Sequence, residues 1–227
     1  MDRLPVVAIR PEPGLSATLR KARDAGMDVR GEALFDVQPV AWTPPDPARY
    51  RGLLAGSANL FRHGGAGLGA LRALPVHAVG AKTADAARDA GFAVASTGEG
   101  GLQAVAEALA PGHYLRLAGE ARVDLALSPQ VHVDTVTAYR VARLPMSDAL
   151  AKVLRGGAVM LLHSGEAARH FATACDTAGI ERARISLACL APRIAQAAGT
   201  GWARVECAGE RSDAALLALA DQMCQTR

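Results

Sequence analysis

The stretch Pro75-Val76-His77-Ala78-Val79-Gly80-Ala81-Lys82-Thr83-Ala84 decides the fold of this chain. A short apolar run of strand length, Pro75 to Val79, turns at a glycine and enters an alanine-rich helix, Thr83 to Ala90. Gly91 follows, a residue type suited to the left-handed position after a helix, and Phe92 to Ala95 starts the next strand. The pattern returns in Ile185-Ser186-Leu187-Ala188-Cys189-Leu190-Ala191-Pro192-Arg193-Ile194, which ends in Gly201-Trp202 as the first ends in Gly91-Phe92. Upstream of each copy lies a strand followed by a serine at a helix start, Ser57 or Ser164. A repeat of this length spans a lobe and not a short solenoid unit.

Working outward, Val6 to Ile9 reads as a strand and Ser16 to Ala25 as a helix closed by Gly26. Met27 to Phe35 and Val37 to Trp42 read as extended, up to the Pro-rich break Thr43 to Pro47. Gly52 to Ala55 is a strand and Ser57 to Arg62 opens a helix; beyond the glycine-rich loop Gly98 to Gly101, Leu102 to Leu109 is a helix. Tyr114 to Leu117 and Val131 to Val141 are strands, and Leu144-Pro145 marks a second break. After it come helix Asp148 to Leu154, strand Ala158 to His163, helix Gly165 to Ala178, strand Ile185 to Cys189, helix Pro192 to Ala198, strand Ala203 to Cys207 and helix Asp213 to Cys224. This alternation predicts an α/β protein with parallel sheets covered by helices on both faces. The expectation is two similar Rossmann-like or flavodoxin-like lobes, the second inserted in the first and joined to it by a two-strand linker. The outer lobe takes residues 1–36 and 146–227, the inner lobe 44–135, and the linker strands 37–43 and 136–145.

Composition narrows the function classes. A net charge of +3 with 21% charged residues is too mild for a nucleic-acid coat, although it helps to attract a small polyanion. The four cysteines, Cys175, Cys189, Cys207 and Cys224, form no CxxC pair, so they read as reduced thiols and not as zinc ligands or a disulfide framework. The N-terminal apolar stretch, Pro5 to Ile9, is shorter than the about 7–15 residues of a signal peptide. No run approaches the ~20 apolar residues of a membrane span, which leads us to expect a soluble, cytoplasmic protein.

The six histidines show no paired metal spacing. Gly64 to Gly69 has the composition of a nucleotide loop but follows a helix, so it is expected to be a flexible connector; no GxxxxGK[ST], placed GxGxxG or Gly-x-Ser-x-Gly occurs. What remains is a set of strand-to-helix turns: Gly56-Ser57-Ala58-Asn59, Gly80-Ala81-Lys82-Thr83, Ser164-Gly165 and Ala191-Pro192-Arg193. Helix N-termini at the carboxyl ends of parallel strands are ready anion sites, and two lobes offering several across a cleft suit a multi-carboxylate ligand. The plain alternative is that Ser57, Thr83 and Ser164 only cap helices. Arg10, Arg116, Arg122 and Arg193 are possible supplements, each of a type that more often sits solvated on a surface. Tyr139 either turns its phenol toward a ligand as a proton donor or is an ordinary strand tyrosine; the spacing leaves both open.

The order of these signals resembles the uroporphyrinogen-III synthase family along nearly the whole chain. The resemblance is carried by Val7-Ala8-Ile9-Arg10-Pro11 with Gly14, Leu54-Ala55-Gly56-Ser57-Ala58-Asn59, and Ala78-Val79-Gly80-Ala81-Lys82-Thr83-Ala84 with Gly91. Leu115 to Arg122, the strand Val136 to Tyr139, and Leu162-His163-Ser164 extend it. Leu190-Ala191-Pro192-Arg193 departs from it, standing where many relatives carry a second Gly-x-x-Thr, so that Arg193 would replace a hydroxyl. The resemblance implies a cofactor-free, monomeric enzyme of haem biosynthesis that closes hydroxymethylbilane to uroporphyrinogen III. Ring D is inverted and water is lost, through an azafulvene and a spiro intermediate. It implies Tyr139 as the catalytic residue and Arg10, Ser57, Ala58, Asn59, Gly80, Lys82, Thr83, Ser164, Gly165 and Arg193 as substrate contacts, with no metal, nucleic acid or membrane involved. The rival readings are a non-catalytic bilobed protein that binds a small anion or a tetrapyrrole, and a nucleotide-dependent Rossmann enzyme.

Overall fold

The computed structural model describes residues 3–225; positions 1–2 and 226–227 of the expected outer lobe lie outside the described residues. In chain order the elements are β1 (Val6–Ala8), α1 (Gly14–Asp24), β2 (Val29–Gly31), β3 (Phe35–Pro39), β4 (Leu53–Ala55), α2 (Asn59–His63), β5 (Val76–Val79), α3 (Ala81–Asp89) and β6 (Val94–Gly98). They continue with α4 (Leu102–Glu107), β7 (Gly112–Gly119), β8 (Val131–Arg143), α5 (Asp148–Arg155) and β9 (Ala158–Leu162). The last are α6 (Gly165–Thr177), β10 (Ile185–Cys189), α7 (Pro192–Ala198), β11 (Arg204–Cys207) and α8 (Asp213–Gln225). The chain divides into two compact units, Met1–Asp36 with Arg143–Arg227, and Val37–Ala142.

The first unit is a parallel five-stranded sheet in the order β11-β10-β9-β1-β2. Its central strand reads Ala158-Val159-Met160-Leu161-Leu162 and is buried throughout, as a strand covered on both faces must be. Met160 and Leu162 face α5, α6 and α7, packing with Leu154, Phe171 and Ile194, while Val159 and Leu161 face α1 and α8 with Leu15, Leu216 and Leu217. The helices form where local signals agree. Ser164 caps α6 by accepting from the Ala167 N–H at 3.1 Å, and α7 has Pro192 in its first turn.

The second unit is a six-stranded sheet in the order β3-β8-β7-β4-β5-β6, with β4 to β8 parallel. Leu53, Ala55, Val76, Ala78, Leu115 and Leu117 build its larger core. The opposite face is thin: Leu54, Tyr114 and Val131 pack against Ala106 of the short helix α4. Of the segments expected as linkers, 37–39 lies in β3 and 136–143 in β8, and both strands are members of this sheet.

One expectation fails. The run Gly64 to Gly69 is no flexible connector, because Ala66–Leu71 forms a 3-10 helix that buries Leu68 and Leu71. Residues three apart share a face in that geometry, so two leucines anchor a glycine-rich stretch. A Cβ at Gly67 would sit 3.0 Å from the Trp42 ring, so a side chain there would have to push the ring aside.

The two sheets match strand for strand once the chain is permuted. β9, β10, β11, β1 and β2 stand in the order of β4, β5, β6, β7 and β8. The helices that follow the third strand of each set, α8 and α4, pack over the corresponding strands. This accounts for the internal repeat, with a one-residue change of register. Gly80 and Ala191 are the cap residues of α3 and α7, so buried Thr83 corresponds to buried Ile194 and exposed Lys82 to exposed Arg193.

Candidate functional site

In an open parallel sheet a crevice forms where neighbouring strands send their connections to opposite sides. In the second unit that place lies beyond the carboxyl ends of β4 and β7, and a pocket of about 470 Å³ is found there. Gly56, Ser57, Leu102, Arg116, Arg122 and Tyr139 line it, with no acidic residue in its wall. The volume lies in the range of small-molecule sites, roughly 300–1,000 Å³.

A bulge in β8 aims Tyr139. Ala118 pairs with Thr137, but the next pair is Gly119 with Tyr139, so Ala138 is an extra residue. Such a bulge bends the strand and re-aims the side chain beside it. The Tyr139 ring then lies over Gly119, where an added Cβ would come 2.9 Å from Tyr139 Cε2. The residue is only 8% exposed, yet its hydroxyl has no hydrogen-bond partner among the described residues.

Two guanidinium groups complete the pocket. Arg116, 6% exposed in the apolar strand β7, donates from Nη1 to the Val123 carbonyl at 2.9 Å, and its Nε has no partner. Arg122 donates to Thr137 Oγ1 at 2.8 Å and to the Gly119 carbonyl at 3.3 Å. Neither arginine forms an ion pair with a described residue. Burial, and then the like charge of Arg122, push the ionisation of Arg116 below its ordinary range.

Of the remaining expected contacts in this unit, Ser57 lies in the pocket wall and Ala58, Asn59, Gly80, Lys82 and Thr83 lie outside it. Ser57 Oγ, in the wall itself, accepts from the Asn59 N–H at 3.2 Å in the turn before α2. Ala58 and Asn59 continue that turn half-buried; Gly80 is half-buried, Lys82 exposed, and Thr83 buried in the first turn of α3.

The corresponding place in the first unit, beyond β1 and β9, has different contents. Arg10 Nη1 donates to Thr18 Oγ1 at 3.1 Å and to Asp213 Oδ1 at 3.2 Å, against a helix start where Gly14 leaves room for the guanidinium. Asp213, the first residue of α8, also meets Lys21 Nζ at 3.6 Å and His163 Nε2 at 3.2 Å. Burial raises the Asp213 carboxyl, but Arg10, His163 and Lys21 outweigh it and hold the group below its usual range. Burial, then Arg10, drive His163 down to about 4, so the ring is neutral near pH 7. The ring meets Asp213 through Nε2. Ser164 is occupied in capping α6, Gly165 opens that helix, and Arg193 is exposed on α7. A larger cavity of about 720 Å³ lies between α1 and α8, where Arg3 is paired with Asp221, so no free cation of that pair is offered to a ligand.

In the sequence Arg116 and Arg122 stand out as supplements and, with Gly119, as part of the resembling segment Leu115 to Arg122, while Leu102 and Asp213 stand out only as helix starts. The available signal was an arginine inside the apolar run Tyr114-Leu115-Arg116-Leu117-Ala118, since a charge in a buried strand asks for a partner. Among the described residues no three His, Cys, Asp or Glu side chains gather as a metal site, and no helix is long and apolar enough to cross a membrane.

The family described as uroporphyrinogen-III synthase HemD matches residues 18–218 of the chain. The crystal structure of uroporphyrinogen-III synthetase from Helicobacter pylori 26695 superposes with a TM-score of 0.66 at 15% identity, covering 97% of this chain and 99% of that one. A mutant uroporphyrinogen III synthase from the extremely thermophilic bacterium Thermus thermophilus gives a TM-score of 0.56 at 17% identity, covering 98% and 100%. At such identities the structural likeness speaks for the fold alone. No curated protein sequence matches the chain.

Proposed function

This chain belongs to the uroporphyrinogen-III synthase family, and on that footing we propose that the pocket beyond β4 and β7 holds the reacting end of hydroxymethylbilane, which the enzyme closes to uroporphyrinogen III. The observation that carries this reading is a partnerless phenol, Tyr139, in one acid-free pocket with two arginines that lack a carboxylate. The substrate is a linear tetrapyrrole with acetate and propionate side chains, and the pocket takes part of it.

Tyr139 donates its proton to the departing hydroxyl; the C–O bond breaks, water leaves, and an azafulvene cation remains. The substituted carbon of ring D attacks that cation and forms the spiro carbon–carbon bond. The bond joining ring D to its former bridge then breaks and re-forms at the ring's other α-carbon, the free position across the nitrogen, which inverts the ring. The last proton lost returns to the phenolate, so the net change is loss of water and the enzyme is a hydro-lyase. In this reading Ser57, in the pocket wall, and Asn59, in the same turn, meet a carboxylate of the substrate.

Positioning is the main task, because the cation formed without enzyme closes at the free position and gives isomer I. Holding reactive ends in one geometry can supply about 7–11 kcal/mol of a barrier. A thousandfold preference for isomer III needs only roughly 4 kcal/mol of differential stabilisation. Incubating the chain with hydroxymethylbilane, oxidising the products and separating them by chromatography tests the proposal. Isomer III as the main product is expected; isomer I alone at the uncatalysed rate would favour a non-catalytic binder.

A further inference from the structure

Arg116 is a charge left without a counterion. A guanidinium in a protein keeps its proton, so burial cannot be relieved by neutralisation, and the cost of the unpaired charge stays in the folded state. Its Nη1 is held by the Val123 carbonyl and its Nε is sealed in the interior without a partner, while Nη2 makes no hydrogen bond to a described residue. Nη2 is therefore the donor left for a ligand, and a carboxylate there gains a charge-assisted hydrogen bond. Asp124 acts on Arg116 electrostatically without pairing with it.

The first unit shows what quenches such a site. Counting from the equivalent strand ends Ala55 and Leu162, Gly56 corresponds to His163, and the first residue of α4, Leu102, corresponds to the first residue of α8, Asp213. A carboxylate from the helix therefore sits among the cations in one unit, and an apolar side chain stands at that position in the other.

We propose that Nη2 of Arg116, with Arg122 beside it, is a carboxylate anchor that grips one acetate or propionate side chain of the substrate, and that Leu102 keeps the anchor free of an internal counterion. The proposal rests on the tetrapyrrole reading for the identity of its ligand, while the anchor itself can be tested without that ligand. The anchor makes Arg116 a substrate-binding residue, and it fixes the ring that Tyr139 acts on.

The probe is benzenehexacarboxylate, a soluble aromatic polycarboxylate, titrated calorimetrically into the full chain. Wild type and the control Arg20→Gln, an exposed position on α1, should bind alike. Arg116→Gln and Leu102→Asp should each weaken binding about 10–100-fold, the loss expected for a charge-assisted pair. With hydroxymethylbilane, KM should rise by a similar factor in both variants and kcat should fall less. Both variants should melt at or above the wild-type temperature, which an arginine kept for structure would not allow. If benzenehexacarboxylate binding and KM are unchanged in Arg116→Gln and Leu102→Asp, the anchor is wrong even if wild type makes isomer III. If the probe's binding depends on Arg116 but wild type makes no isomer III, the anchor stands and the tetrapyrrole reading falls.

Discussion

The first unit places a carboxylate at the crevice where the second places leucine. Asp213 holds Arg10, Lys21 and Thr18 together in the first, while Leu102 leaves Arg116 and Arg122 without an acid in the second. The strand orders match, so the difference comes from a few side chains at strand and helix ends and not from topology. The lesson concerns stability and binding. A satisfied polar cluster stabilises its unit, whereas an unsatisfied one lowers stability and keeps its interaction energy for a ligand.

Breaking the quenched cluster should have the largest effect. Asp213→Ala strips Arg10 and Thr18 of their acceptor, and we expect a loss of about 3 kcal/mol in urea unfolding, the lower end for a broken buried pair because Arg10 keeps some water. The parallel change in the open pocket, Arg116→Leu, should alter unfolding by less than about 1 kcal/mol or stabilise the chain. Equal and large losses in both would erase the contrast.

Acid should weaken the first unit through His163. Its folded value is about 4 against an ordinary 6.5, so between those values the unfolded chain binds the extra proton. Stability is therefore full above pH about 6.5, falls as pH drops toward 4, and loses roughly 3 kcal/mol from this group. His163→Gln should remove that part of the pH dependence in denaturation curves; an unchanged slope would mean that the ring is not neutral in the fold.

Tyr139→Phe sharpens the contrast from the other side. Its hydroxyl bonds to no described residue, so unfolding should change by less than about 0.5 kcal/mol, while the rate of isomer III formation should fall about 100-fold. A wild-type rate would remove Tyr139 from the chemistry. The smallest effect concerns thiols. Burial pushes Cys175 and Cys189 up to about 12, so both should resist alkylation in the native chain and react only on unfolding.

Much of the fold was legible because local signals agreed. Pro192 in the first turn of α7, Ser164 as the cap of α6 and the apolar run of β9 each match their structural role. The glycine-rich run at 64–69 misled because its composition suggests mobility, while Leu68 and Leu71 bury their side chains. The site was less legible. Arg10 reads as a ligand contact in isolation, but its partner Asp213 lies 203 positions away, and no local pattern reports that. Tyr139 could be noticed but not oriented, since its aim depends on the bulge at Ala138 and the missing Cβ of Gly119.

The most direct test follows the two arginines in one experiment. In wild-type protein labelled with nitrogen-15, the Nε–Hε signals of Arg116 and Arg10 are monitored during titration with benzenehexacarboxylate. The account predicts that Arg116 shifts saturably and Arg10 stays in place. A shift at Arg10 with none at Arg116 would contradict it.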